Sequence, residues 1–382
     1  MAPKHGVSIE CVGAPTTEER LPNSCLTAPA AGIFEAPGFI DLQVNGFAGV
    51  DYNQPGAALD EIARSIRALH ACGVTRFLPT VITASPEAME GALRNLAAAC
   101  ELPAEGDSIA GFHVEGPHIS PEDGPRGAHP RRWVRPPDLA EFRRWQAASG
   151  GRIRMVTLSP EWPGAAEYIA RIVAEGVVAA IGHTQANAEQ VADAVAAGAK
   201  FSTHLGNGAH AVMRRHPNYI WDQLAEDRLM AGFIADGFHL GAAFLKTALR
   251  AKGASRAVLV TDATAAASAP PGCYTLGELP LDLTSQGRVV LAGEDRLAGS
   301  ALSLDRAIGK AIELTGISLA EAVRMATLNP ARAGGLPARD GDCVRFRFDP
   351  AAARIEVIAT WVAGRQVYAG AATGTGHRRR AE

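Results

Sequence analysis

The chain has 382 residues, 47% of them hydrophobic and 20% charged, with a formal net charge of −3 and a pI near 6.4. That balance gives no electrostatic reason to bind nucleic acid or an anionic membrane surface, and no apolar run approaches the ~20 residues that span a bilayer. The opening residues, MAPKHGVSIECVG, lack a basic segment followed by an apolar one, so no secretory signal is expected. Cys11, Cys25, Cys72, Cys100, Cys273 and Cys343 are scattered without a CxxC pair, the pattern of reduced thiols in a cytoplasmic protein.

From residue 37 onward, short apolar or β-branched runs alternate with helical patterns. The runs 38–44, 75–82, 109–114, 153–158, 177–182, 200–204, 230–235 and 257–261 predict eight strands. After the first, 57–71 places Leu59, Ile62, Ile66 and Leu69 on one helical face. Ser85-Pro86 then supplies a helix N-cap followed by proline at the first helical position. The stretch 187–197 opens with Asn187, stops at Gly198 and carries Val191 and Val195 on one stripe. Helical patterns at 244–251, 303–314 and 318–328 complete the series. Eight such strand–helix units imply parallel βαβ connections and, at this length, an α/β protein built on a (β/α)8 TIM-type barrel over 37–334.

Both chain ends fall outside the alternation. Residues 1–36 are rich in Pro and Ala, and 343–369 alternates in strand fashion, so 1–36 and 335–382 are expected to form a small β-sandwich-like domain beside the barrel. Residues 270–298 read as a hairpin insertion after the eighth strand, and the polar tail 370–382 is expected to be disordered.

Reactive side chains of such barrels stand at the C-terminal ends of the strands. Polar residues fall there on one strand after another: Gln43 and Asn45 on the first, His113 and Glu115 on the third, His183 on the fifth, His204 on the sixth, Asp236 and His239 after the seventh, Asp262 on the eighth. A single histidine at a strand end is more often structural than catalytic. Glu115, His183 and His204 together, two imidazoles and a carboxylate on three strands, have the composition of a catalytic zinc-type ligand set. Asp262 follows the apolar run AVLVT and precedes small residues, so it is suited to take a proton from an activated water and pass it to a leaving amine; the alternative is an Asp that merely caps a turn.

Taken in order, PGFIDLQVNG (37–46), HVEGPHIS (113–120), GAHP (127–130), IGHT (181–184), STHLGN (202–207), IADGFH (234–239), VTDAT (260–264) and LAGSALSLD (297–305) resemble the N-acetylglucosamine-6-phosphate deacetylases of the amidohydrolase superfamily. The resemblance implies metal-dependent hydrolysis of the acetamide of an N-acetylamino sugar, with N-acetylglucosamine 6-phosphate giving glucosamine 6-phosphate and acetate. It implies Glu115, His183 and His204 as metal ligands, Asp262 as catalytic acid/base, His129 near the scissile amide, His239 on the sugar, and Asn207 and Gly208 at the phosphate end. Many superfamily members carry His-x-His on the first strand, where this chain has Gln43-Val44-Asn45, so the resemblance implies one divalent metal per chain, Zn2+, with Gln43 helping to position water. The segment after the sixth strand reads HLGNGAHAVMRRHP, in which Arg215, beside Arg214, falls about where the family's phosphate-binding arginine does. A homodimer with a small-molecule amino-sugar substrate is expected. The competing readings are deacylation of an unphosphorylated or other N-acyl compound, cyclic-amide hydrolysis of the dihydroorotase type, and a non-catalytic binding barrel. The absence of lysine from RIRMVTLSP on the fourth strand counts against the cyclic-amide reading.

Overall fold

The computed structural model describes residues 26–30 and 32–370; the expectations for 1–25 and 371–382, and for Cys11 and Cys25, lie outside them. Eight parallel strands form the central sheet: β1 (Phe39–Val44), β2 (Val74–Ile82), β3 (Phe112–Glu115), β4 (Ile153–Leu158), β5 (Val178–Ile181), β6 (Phe201–Ser202), β7 (Met230–Phe233) and β8 (Ala257–Leu259). They are hydrogen-bonded in chain order from β1 to β8, every pair parallel, as strand–helix–strand units connected to their nearest neighbour require. Helix Leu59–Ala71 buries Ile62, Ile66 and Leu69 against the sheet and leaves its acidic first turn to solvent. The expected cap is present at Ser85, whose side chain accepts from Ala88 N. Asn187 and Gln190 form a reciprocal capping box at the start of helix Ala188–Ala196.

The seam between β1 and β8 closes differently from the other seams. No continuous ladder joins the two strands. The contact is a single parallel bridge, Val44 to Ala263, reinforced by Asp262 N donating to Gln43 O (3.0 Å) and Asn45 N to Ala263 O (2.7 Å). Below it, buried Asp41 does the work of a ladder with its side chain: Thr261 donates to it through N (3.2 Å) and through Oγ1 (2.6 Å). The barrel is thus stitched shut at its C-terminal end, beside Gln43, Asn45 and Asp262.

Strands Ile33–Pro37, Cys343–Asp349, Arg354–Val362 and Arg365–Ala369, with Thr27–Ala30 at the edge, make a separate five-stranded antiparallel sheet from the two chain ends. Phe346 of this sheet lies 6.0 Å from Phe39 at the base of β1, and Thr360 Oγ1 donates to His70 O (2.7 Å), which docks the sheet on the barrel. The segment after β8 folds into a three-stranded antiparallel sheet, Gly272–Leu276, Leu279–Leu283 and Val289–Leu291. Its turn is pinned to the barrel: buried Asp51 accepts from Thr275 Oγ1 (3.1 Å) and Gly277 N (2.8 Å).

Several strands are shorter than the sequence predicts, most clearly the third, sixth and eighth. β3 starts at Phe112 because a 3-10 turn at Gly106–Ser108 and Gly111 at φ 130° occupy the preceding residues. β6 stops at Ser202 and β8 at Leu259, and just beyond them His204 (φ 28°) and Asp262 (φ 52°) leave the extended region. Among the described residues Cys72, Cys100, Cys273 and Cys343 are free thiols, and no helix is long and apolar enough to cross a membrane.

Candidate active site

Three residues predicted as metal ligands converge at the C-terminal end of the barrel. His204 Nε2 stands 2.9 Å from Glu115 Oε1 and 3.1 Å from His183 Nε2, and His183 Nε2 is 3.3 Å from Glu115 Oε1. All three are buried, and they form the one metal-type cluster found among the described residues. His183, His204 and Asp262 all take positive φ (49°, 28° and 52°). That conformation is uncommon for residues with a Cβ and costs on the order of 1 kcal/mol or more each. The strand ends bear that strain to turn these side chains inward.

The set fits a cation by its own chemistry. His183 Nδ1 donates to Pro125 O (2.9 Å), which fixes the tautomer and leaves Nε2 as a lone pair aimed at another nitrogen and at a carboxylate oxygen. His183 is wedged in place, since a Cβ on Gly208 (φ 55°) would come within 2.6 Å of its Nδ1. Burial pushes the Glu115 carboxyl up, but the neighbouring His183 and His204 imidazoles outweigh it and hold the group well below its ordinary range. Burial pulls His204 down, and Glu115 raises it further than burial lowers it. Two imidazole nitrogens and a carboxylate oxygen within 3.3 Å of one another are a donor set that a divalent ion could bridge.

Gln43 connects this set to Asp262. Its Nε2 donates both to Glu115 Oε1 (2.9 Å) and to Asp262 Oδ1 (3.1 Å), so the amide is occupied by the two carboxylates. Asn45 Nδ2 donates to the same Asp262 Oδ1 (2.7 Å). Asp262 lines the central pocket with Oδ1 doubly held, which leaves Oδ2 to exchange a proton. Burial, and then the negative charge of Glu115, hold its carboxyl above the ordinary range.

His129 lies edge-on to His183, 4.4 Å between centroids, and its Nδ1 is hydrogen-bonded to Thr83 Oγ1 (2.8 Å). Burial pulls it down to about 3, so it is a neutral imidazole near neutral pH. His239 is oriented by Asp236, whose Oδ2 receives its Nδ1 at 2.6 Å. Asn207, Gly208, His129 and His239 all line the same pocket, of about 140 Å³.

Arg215 does not join them. Arg214, Arg215 and His216 are exposed and outside the pocket lining. Their loop is held on itself: Asn218 Nδ2 donates to Arg214 O (3.0 Å) and Arg215 O (3.1 Å), and His210 N donates to Tyr219 Oη (2.9 Å). His113, a strand-end candidate, points into the barrel instead, bonded to Leu42 O (3.0 Å) and Thr157 Oγ1 (2.7 Å). The sequence reading missed an apolar wall formed by Ile82, Leu276, Leu279, Leu297 and Ala298. Its two hairpin leucines carry no signal beyond ordinary strand alternation.

The chain as a whole is similar to known proteins. Residues 35–342 match the amidohydrolase family. The N-acetylglucosamine-6-phosphate deacetylase of Bacillus subtilis (strain 168) is 34% identical over 319 residues, covering 83% of this chain and 79% of that one. The N-acetylgalactosamine-6-phosphate deacetylase of Escherichia coli O157:H7 is 36% identical over 304 residues, 78% of each. The solved N-acetyl-D-glucosamine-6-phosphate deacetylase of Mycobacterium smegmatis superposes with a TM-score of 0.79 at 34% identity, covering 93% of this chain and 91% of that one. A dihydroorotase, at 13% identity and a TM-score of 0.51, shares the fold alone. With its ligand-type cluster at the strand ends and a match over most of its length, the chain belongs to the amidohydrolase family and, within it, to the amino-sugar-phosphate deacetylases.

Proposed function

We propose that the protein hydrolyses the acetamide of N-acetylglucosamine 6-phosphate to glucosamine 6-phosphate and acetate. The observation that carries this reading is the coupling of the Glu115, His183 and His204 cluster to Asp262 through the single amide of Gln43. Glu115, His183 and His204 would hold one divalent ion, and two imidazoles with one carboxylate suit Zn2+. When bound, that ion polarises the scissile carbonyl and acidifies a water.

The chain's own groups do the rest. Asp262 Oδ2 takes the proton of the attacking water while Gln43 and Asn45 hold Oδ1 still. In this reading His129 Nδ1 accepts from the Thr83 hydroxyl 2.8 Å away, so that the imidazole hydrogen stands on Nε2 and donates to the oxyanion as the carbonyl carbon becomes tetrahedral. One donor of this kind is worth about 3–4 kcal/mol. Asp262 then returns its proton to the sugar nitrogen, the C–N bond breaks, and acetate and the free amine leave. His239, kept in orientation by Asp236, meets the sugar, and Asn207 and Gly208 face its far end.

A count of one metal is supported by the end of β1, where Gln43 and, just past the strand, Asn45 are already bonded to carboxylates and no imidazole stands. The free thiols support a reducing, cytoplasmic setting. A second reading, an unphosphorylated N-acetylamino sugar as substrate, is favoured by one observation: Arg215 lies outside the pocket. Turnover across a panel of N-acetylated hexosamines, with and without the 6-phosphate, separates the two. Higher kcat/KM for the phosphorylated sugars supports the first reading, and a preference for the neutral ones replaces it with the second.

A further inference from the structure

The amide cleaved in this pocket joins two unlike groups, a polyhydroxylated sugar and an acyl chain. The pocket lining is likewise of two kinds. After β6 and β7 stand Asn207, Gly208 and His239, with amide, backbone and imidazole groups to offer. Ile82 at the end of β2, Leu297 and Ala298 beyond β8, and Leu276 and Leu279 of the hairpin insertion present only carbon side chains, and Ile82, Leu276 and Ala298 belong to one hydrophobic cluster. Ile82 is in register with Glu115 across the β2–β3 ladder, and Ser300, two residues after Ala298, donates its N–H to Asp262 O (2.9 Å). The carbon wall therefore begins beside both catalytic carboxylates.

We infer that this wall is the acyl subsite: the acetyl methyl packs against Leu276, Leu279 and Leu297, and these side chains restrict the enzyme to short acyl groups. The inference rests on the deacylase reading above. Sugar hydroxyls turned towards the wall would lose their hydrogen bonds to water without replacement, whereas a methyl group loses nothing there and buries apolar area. The wall is also stiff. Leu276 packs with Leu281, Leu283, Val289 and Ala266 in a second hydrophobic cluster, separate from the barrel core. The turn that carries Leu276 and Leu279 is fixed by Asp51 on Gly277 N, and by Arg132 and Trp133, which donate to Glu278 at 2.7 and 3.2 Å. A longer acyl chain meets the buried Leu276 and the anchored turn behind Leu279.

The test is kcat/KM for N-acetyl-, N-propionyl- and N-butyrylglucosamine 6-phosphate with the wild-type enzyme and with Leu279→Ala and Leu297→Ala. Both leucines are half-buried, so truncation spares the core, and the ratio between substrates cancels any difference in the amount of folded enzyme. One methylene in an apolar pocket discriminates by roughly 10–200-fold. The wild type is expected to prefer acetyl over propionyl by at least about tenfold, and each variant to reduce that preference by about tenfold. Equal losses on all three substrates, or a wild type indifferent to acyl length, would overturn the inference while leaving the deacylase reading intact. An altered response to the sugar or its phosphate with an unchanged acyl ratio would overturn it too, by giving the wall to the other half of the substrate. A metal-loaded wild type that releases no carboxylic acid from any acylated amino sugar would overturn both.

Discussion

The floor of the pocket and its far rim are built on opposite terms. On the floor, Glu115, His183, His204 and Asp262 are buried at the ends of strands; Gln43 holds both Glu115 and Asp262, Asn45 holds Asp262 and Pro125 O holds His183. On the rim, Arg214, Arg215 and His216 are exposed on a loop whose hydrogen bonds close on itself. The contrast separates two tasks. Chemistry requires groups already oriented when substrate arrives, and rigid strands supply that at the cost of three strained backbone positions. Recognition of the remainder of the substrate is left to loops and to the hairpin, which can change without disturbing the floor.

The difference predicts a graded series of substitutions. At the floor, Asp262→Asn keeps the shape but can neither take nor return the proton. Its kcat should fall by roughly 10²–10⁴-fold with fold and metal content retained, and a loss of less than tenfold would remove Asp262 from the role of base. One step out, Gln43→Leu deletes the link between the two carboxylates. Groups that orient ligands typically matter by about 10–100-fold, so metal affinity, measured by competition with a chelator, and kcat should both weaken within that range. At the rim, Arg215→Ala should cost at most about fivefold in kcat/KM, in line with a solvent-screened ion pair, for the 6-phosphorylated sugar and nothing for the neutral one. A loss of a hundredfold would show that the loop closes over bound substrate and that rim and floor are not separate after all.

The floor was legible in the sequence because its signal is doubly constrained. A barrel strand is a short apolar run, and a polar residue placed just where the run ends has few reasons to be there except the site; Glu115, His183, His204 and Asp262 were all found in this way. His113, two residues before Glu115 and on the same side of the strand, falls at the same strand end but is occupied with Leu42 O and Thr157 Oγ1 inside the barrel. The closure of the barrel by Asp41 and Thr261 was not legible, since a buried carboxylate standing in for a missing ladder leaves no periodic trace. Nor was the position of Arg215. Its offset from Asn207 says how much chain separates them but not which way the loop turns, and Asn218 and Tyr219 decide that through bonds to the loop's backbone. Leu276 and Leu279 read as an ordinary hairpin until the turn is seen pinned to Asp51.

The central claim is that one ion held by Glu115, His183 and His204 works with Asp262 to deacetylate an amino sugar. Titrating the metal-free protein with Zn2+ while measuring acetate release from N-acetylglucosamine 6-phosphate tests it most directly. The account predicts a rate that rises linearly and reaches its plateau at one equivalent per chain. A break at two equivalents, or no acetate at any metal loading, would contradict it.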